Sequence, residues 1–390
     1  MSKKEPIDLY SKEIDANPFP MYATLREQYP CYWSESAGIW FLSRYEDVVA
    51  AAVDWERFSS LAGNLIDEIP GRSGGTLGST DPPRHDRLRN LANHAFAKKN
   101  LAHVGDYAEK MATEAVASCA NKKQFDFVAD FSSVVTVGTI FNMLGLPYRD
   151  PAEIRSKVVL SISTDKSGKG RSQEMNAAFA DVSAFLAEAV EARRTTPSDD
   201  VITSLAEAEI DGDKLTDREV VLTTSMFVVA GVESLSSFMS VFAHNLSRMP
   251  EVRKRLSENP ALIDAAIEES LRFNTSAQRF KRVLTCDVEL HGQVMRKGDY
   301  VALLYGSANR DERKFKHADV YDLDRNPQGH VGFGTGKHFC IGNNMARLVL
   351  KRAMTVFLSA IPEFEPATEN IDWVPSSNFR SPVALPLSSL

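Results

Sequence analysis

The sequence predicts a mainly helical protein with a small β region, built as a single unit. Three observations carry that expectation. Over residues 82–273 apolar side chains recur at helical spacing with little interruption. Short alternating stretches flank this block, at residues 31–34, 39–42 and 282–304. No linker, internal repeat or low-complexity tract divides the 390 residues, so residues 1–390 read as one domain.

Composition narrows the class. Hydrophobic residues at 43% and charged residues at 25% can bury a large core and enclose an apolar ligand. The formal charge of -7 argues against a nucleic-acid binder, although Lys98 with Lys99 and Lys351 with Arg352 offer local basic faces for an acidic partner. Cys31, Cys119, Cys286 and Cys340 are scattered without close pairs or zinc-type spacing, which fits a reducing compartment. The N-terminal MSKKEPIDLY has charges but no apolar run behind them, so neither a secretory signal nor a membrane anchor is expected, and the protein reads as cytoplasmic.

In chain order, residues 20–29 read as a helix, and residues 31–34 and 39–42 as short strands. Residues 60–80 contain Gly63, Pro70, Gly71, Gly74, Gly75 and Gly78, the marks of a long irregular loop, which in a compact protein is usually functional or mobile. DPPRHDRLR then opens a helix, with Asp81 as cap and two prolines in the first turn. His85 and Arg89 are four apart and share a face that can grip carboxylates; an isolated pair of this kind suits a plain helix surface equally well. Residues 216–249 form a helix of roughly nine turns, opened by a Thr216/Glu219 capping box and closed by Pro250. In its middle, AGVES interrupts the apolar run with Gly231, Glu233 and Ser234, and polar groups buried there need partners or a task. IDAAIEESLRF puts Glu269 and Arg272 on one helix face, a trivial pair if exposed. Strands follow over residues 282–304, and a loop-rich stretch over residues 307–336 leads to FGTGKHFCIG.

That last segment is the most informative. A thiolate beside a metal needs its charge stabilised without being reached by water. Gly334, Gly336 and Gly342 let the backbone come close to a flat ligand, and Phe333 can lie over the sulfur. Ile341, Met345, Leu348, Val349, Ala353 and Val356 recur as the apolar face of a helix whose positive end favours the thiolate of Cys340. Taken alone, the loop reads equally as a glycine-rich connection around a buried structural cysteine. The full set of His330, Phe333, Gly334, Gly336, His338, Cys340, Gly342, Ala346 and Arg347 is far more specific. It resembles the haem-binding signature of the cytochrome P450 family in its soluble bacterial form.

The resemblance extends over nearly the whole chain and carries further expectations. It implies the cytochrome P450 fold, a helical prism with a small β region and haem b buried between the long central helix and the helix after Cys340. Cys340 is then the iron ligand. His85 and Arg89 bind the haem propionates, with Arg282 and His338 as a second clamp and Arg279 as a weaker candidate. Gly231 lets the central helix pass over the haem, and Glu233 with Ser234 forms the acid and alcohol pair that handles protons. Glu269 and Arg272 match the Glu-x-x-Arg motif of the family, joined by Arg325 in a structural network that supports the cysteine loop. Two departures stand out. Serine at 234 replaces the usual threonine, so proton delivery is less well directed and some reducing equivalents leak as peroxide; Ser276 and Ala277 replace a proline often found after the Glu-x-x-Arg helix.

The implied activity is monooxygenation of a small, mostly hydrophobic molecule, with electrons from a separate ferredoxin and its NAD(P)H-dependent reductase. Pocket positions suggested by the resemblance are Phe227, Val228, Ser276 and Phe379. The rivals are a peroxide-driven peroxygenase of the same fold and a haem-based gas sensor or electron carrier without enzymatic activity.

Overall fold

The computed structural model describes residues 7–390 apart from residues 96, 97 and 148; the side chains of residues 94–102 also lie outside the described residues, and with them the basic pair Lys98 and Lys99. Helices dominate, and the chain is organised around the one that spans Asp217–Ser247. Its start follows the expected capping box: Glu219 N–H donates to Thr216 Oγ1 at 3.3 Å, and Thr216 N–H donates to Glu219 Oε2 at 3.0 Å. The helix is not uniform. An α-helical Asp217–Val229 and an α-helical Leu235–Ser247 are joined by a π-helical segment, Ala230–Ser234, at the AGVES interruption. Pro250 does not end this helix as expected but opens the next, Pro250–Glu258, where a proline in the first turn loses no hydrogen bond.

The helices Ser133–Leu144, Pro151–Ile162, Gln173–Thr195, Ile263–Phe273 and Asn343–Ala360 all pack against the central helix. The Asn343–Ala360 helix also runs along Lys98–Cys119, where Gly105 permits the close approach: a Cβ there would lie 2.9 Å from Leu348 Cδ2. Phe357 anchors the core beneath, fully buried with the rings of Phe127, Phe131 and Phe364 at 4.8, 5.1 and 5.3 Å. Two segments, Phe127–Leu144 and Asp217–Ser247, are long and apolar enough to cross a membrane, but both are mostly buried inside the fold as core helices.

The largest sheet of the β region has five strands, in the order Cys31–Ser34, Ile39–Leu42, Tyr300–Leu303, Phe280–Leu284, Phe58–Ser59. Ile39–Leu42 is buried along its whole length, as an IWFL run with neighbours on both edges requires. The expected strands of residues 282–304 resolve into Phe280–Leu284, a hairpin of Val288–Leu290 with Gln293–Met295, and Tyr300–Leu303. The hairpin turns at His291 and Gly292, both at positive φ, as a tight two-residue turn demands. Pairing of Val301 with Arg282 fixes the position of Arg282 along the sheet.

One expected cap is corrected. The helix begins at Arg84, after a cis Pro82–Pro83 bond, and the Asp81 carboxylate instead accepts from Ser59 Oγ and from Ser60 N–H at 3.0 Å. The Lys351 and Arg352 pair is also not a free basic patch, since each reaches a carboxylate, Asp264 and Glu109, at 2.7 Å.

Replacing Phe357 by Ala removes the ring that the other phenylalanines close upon, and should lower the unfolding free energy by about 3–5 kcal/mol. Urea denaturation measures this; a loss under about 1 kcal/mol would show that the cluster does not hold the core.

Candidate active site

A cavity of about 320 Å³, walled mainly by apolar atoms, opens between the central helix, residues 60–80 and the cysteine loop. Cys340 faces it from one side and Ala230, Gly231 and Ser234 of the central helix are also in its lining. The loop that presents the cysteine is fixed by its own backbone. Cys340 N–H donates to the Phe333 carbonyl at 3.0 Å, and Asn343 Nδ2 donates to the Cys340 carbonyl at 2.8 Å. Gly334 and Gly336 both sit at φ +70°, and a Cβ on Gly336 would come within 2.8 Å of the Ala52 carbonyl. Gly342 caps the Asn343–Ala360 helix, so Cys340 lies just ahead of its positive end. Burial pushes the Cys340 thiol up from its ordinary pKa, and the Gly342 N–H, Arg89 and Arg347 oppose that rise. Phe333 is in the cavity lining, with the Arg347 guanidinium stacked 4.6 Å from its ring centre.

Besides Arg72, four cation-capable side chains share the same cavity: His85, Arg89, Arg282 and His338. His85 is fully buried; its Nδ1 meets Asp86 Oδ1 at 3.1 Å, and its Nε2 has no partner among the described residues. Its ring lies 4.6 Å from that of His338, whose Nε2 meets Ser60 Oγ at 3.0 Å. Burial lowers both imidazoles, His338 to about 4, with Arg282 and His85 adding to the effect and Asp81 opposing it. Arg89 donates to the Lys337 carbonyl at 3.2 Å and Arg282 to the Lys281 carbonyl at 2.8 Å, which leaves donors of both for a ligand. A lone thiol, an orphaned histidine nitrogen and two guanidinium groups around one cavity fit a haem: sulfur for the iron, cationic donors for the two propionates. Arg279 is not among these groups. It is buried away from the cavity lining, beside Asp15.

On the central helix, Ser234 is in the cavity lining and Glu233 is not. The Glu233 carboxylate is 1% exposed; it accepts from Ser237 Oγ at 2.8 Å and faces Arg155 Nε at 3.5 Å. Burial raises its pKa, and Arg155, Ser237 and Ser381 oppose the rise. No hydrogen bond joins the Glu233 carboxylate to Ser234 among the described contacts. A Cβ on Gly231 would lie 2.6 Å from Ile140 Cδ1, so its smallness serves helix packing as well as the cavity.

Of the expected pocket positions, Phe227, Ser276 and Phe379 line the cavity. Val228 does not: a step of about 100° along the helix turns it into the core, where it is 2% exposed. Arg72 also stands in the wall. Glu68 neutralises it, with contacts of 2.7 and 3.0 Å, and the four-residue spacing of the pair was the available signal.

Beneath the cavity, Glu269 receives Arg272 at 2.7 and 2.8 Å and Arg325 at 3.1 Å, with the Glu269 and Arg272 side chains wholly buried. Its neighbour Glu268 was missed. It receives His330 at 2.9 Å and Arg347 at 2.5 and 3.0 Å, both residues of the cysteine signature. Burial would raise the Glu268 pKa, but His330 and Arg347 outweigh it and hold it at about 2. A carboxylate depressed on folding stabilises the fold above its unfolded pKa near 4.5 and loses that contribution as pH falls towards 2. Glu268→Gln should therefore unfold more easily than the parent at pH 7, with the difference shrinking below pH 4.5; a difference constant from pH 7 to pH 3 would show that Glu268 is not the titrating group.

Comparison with known proteins accords with this geometry. The cytochrome P450 family profile matches residues 9–372. A protein described as the putative cytochrome P450 YjiB of Bacillus subtilis is 32% identical over 363 residues, covering 91% of this chain and 90% of that one. Nocardicin C N-oxygenase of Nocardia uniformis is 34% identical, covering 95% of each. The solved structure of the cytochrome P450 PksS of the Bacillus subtilis bacillaene polyketide synthase superposes with a TM-score of 0.90 at 26% identity, covering 98% of this chain and 99% of the other. With a profile matching most of its length and relatives above 30% identity along it, this chain belongs to the cytochrome P450 family, as a monooxygenase that binds haem b.

Proposed function

We infer that the protein hydroxylates a small, mostly hydrophobic molecule, using electrons from a ferredoxin and its NAD(P)H-dependent reductase. The observation that carries this reading is the cavity that one cysteine, His85, Arg89, Arg282 and His338 share with a mainly apolar wall, in which the further cation Arg72 is neutralised by Glu68. In this reading Cys340 ligates the iron, His85, Arg89, Arg282 and His338 hold the propionates, and Phe333, Gly334 and Gly342 shape the loop beneath. The bound haem supplies oxygen activation, one oxygen atom passing to the substrate and the other leaving as water.

The chain's own share is binding, orientation and proton control. The apolar wall excludes water, and Phe227, Ser276 and Phe379 bound the space a substrate would fill. Because Glu68 cancels the charge of Arg72, the wall favours an uncharged substrate, with at most a neutral polar group near that pair. Glu233, buried on the central helix and facing Arg155, and Ser234, which lines the cavity, serve as the acid and the alcohol of the proton relay. Serine's freer side chain makes that transfer leak towards peroxide. In this reading the electrons come from separate proteins, the ferredoxin and its reductase. Unpaired cysteines support a reducing, cytoplasmic setting.

Two experiments test the reading. Holoenzyme supplied with ferredoxin, reductase and NADPH should oxidise members of a panel of neutral hydrophobic compounds that displace water and change the spin state; turnover with hydrogen peroxide alone would replace this reading with the peroxygenase. Breaking the buried network by Glu269→Ala or Arg272→Ala leaves an unpaired charge costing about 3–5 kcal/mol, so either variant should fail to retain haem. Normal haem content in the purified variants would refute that assignment.

A further inference from the structure

We propose that Ser276 is a positioning residue for proton delivery, holding Ser234 in place from outside the central helix. This rests on the reading of Glu233 and Ser234 as the proton relay. Ser276 follows the Ile263–Phe273 helix, is 5% exposed, and donates its hydroxyl to the backbone carbonyl of Ser234 at 3.2 Å. That carbonyl belongs to the last residue of the π-helical segment Ala230–Ser234. Helix ladders open where a side chain inserts into them, so this contact bears directly on the local irregularity. Serine gains more from such a tether than threonine would. With no β-methyl group its side chain turns more freely, and a helical serine hydroxyl is drawn to the carbonyl one turn back, here that of Ala230. Fixing the backbone of residue 234 narrows the positions its hydroxyl can reach.

The same scaffold braces the acid. The Ser276 carbonyl accepts from Arg380 N–H at 2.8 Å, and Ala277 pairs with Phe379 in a short bridge. One residue beyond Arg380, Ser381 Oγ receives Arg155 Nη2 at 3.1 Å, and Arg155 Nε faces Glu233 at 3.5 Å. Residues 276–277 and 379–381 thus touch residue 234 directly and residue 233 through Arg155. Adjacent helix positions diverge by about 100°, so acid and alcohol point apart, and a support outside the helix keeps them in fixed relation.

Substrate-free turnover of the holoenzyme with ferredoxin, reductase and NADPH tests this. Oxygen that takes up two electrons and two protons leaves as peroxide, and oxygen that takes up four of each leaves as two waters, so the ratio reports proton delivery. Ser276→Ala should raise the peroxide-to-water ratio about fivefold, the effect of losing one neutral hydrogen bond. Ser276→Thr, which keeps the hydroxyl, should retain the parent ratio. Independently of turnover, backbone amides of residues 230–239 should exchange with deuterium faster in Ser276→Ala than in Ser276→Thr. A parent-like ratio in Ser276→Ala while Glu233→Gln shifts it would overturn the role of Ser276 and leave the relay standing, as would a Thr variant that leaks like the Ala one. A ratio unmoved by Glu233→Gln and by Ser234→Ala would overturn the relay, and this inference with it.

Discussion

Burial raises the pKa of the half-buried Cys340 thiol, and much of the structure is arranged against that rise. The Gly342 N–H, Arg89 and Arg347 oppose the desolvation directly. Those groups work only if the loop stays where it is, and the loop has little secondary structure of its own. Its rigidity comes from the Ile263–Phe273 helix, which carries two consecutive carboxylates. Successive helix positions point about 100° apart, so the two reach different partners. Glu268 turns towards His330 and Arg347, close to the cysteine; Glu269 turns towards Arg272 and Arg325 and the loop that leads in. One helix thus braces the thiol loop from two sides.

Buried charge of this kind is worth little for stability taken alone, because desolvation offsets attraction. Its value here is positional. Arg272 also donates to the carbonyls of Asn309, Ala318 and Val320, so a single guanidinium fixes three points of a stretch without regular structure. The helical core around Phe357 supplies the stability that lets such a network exist.

What was legible in the sequence was local. The glycine spacing around Cys340, the capping box at Thr216 and the alternation over residues 282–304 each reflect contacts within a few residues, and each corresponds to an element in the structure. Val228 was misread because apolar character does not say which way a helix residue faces. Asp81 was misread because its carboxylate is taken by Ser59 and Ser60, a demand made by the neighbouring strand and not by the helix. Of the partners of Glu233 and Ser234, Ser237 lies one helical turn away, but the others were beyond the reach of spacing: Arg155 rests on Ser381, 226 residues away, and Ser276 lies 42 residues from Ser234.

That distance has a consequence for how the site forms. The central helix and its capping box need only local contacts and can assemble early. The π-helical segment at Ala230–Ser234 is different, since its supports come from residue 276, 42 residues on, and, through Arg155, from residue 381 near the end of the chain. Closing such long loops is entropically unfavourable until the core is in place. The support that reaches Glu233 through Arg155 is therefore complete only when the segment around Ser381 docks. Loosening that segment would disturb proton handling before it disturbed the cysteine loop, whose supports come from Glu268 and Glu269 and from residues 52–89, none of them in the C-terminal segment.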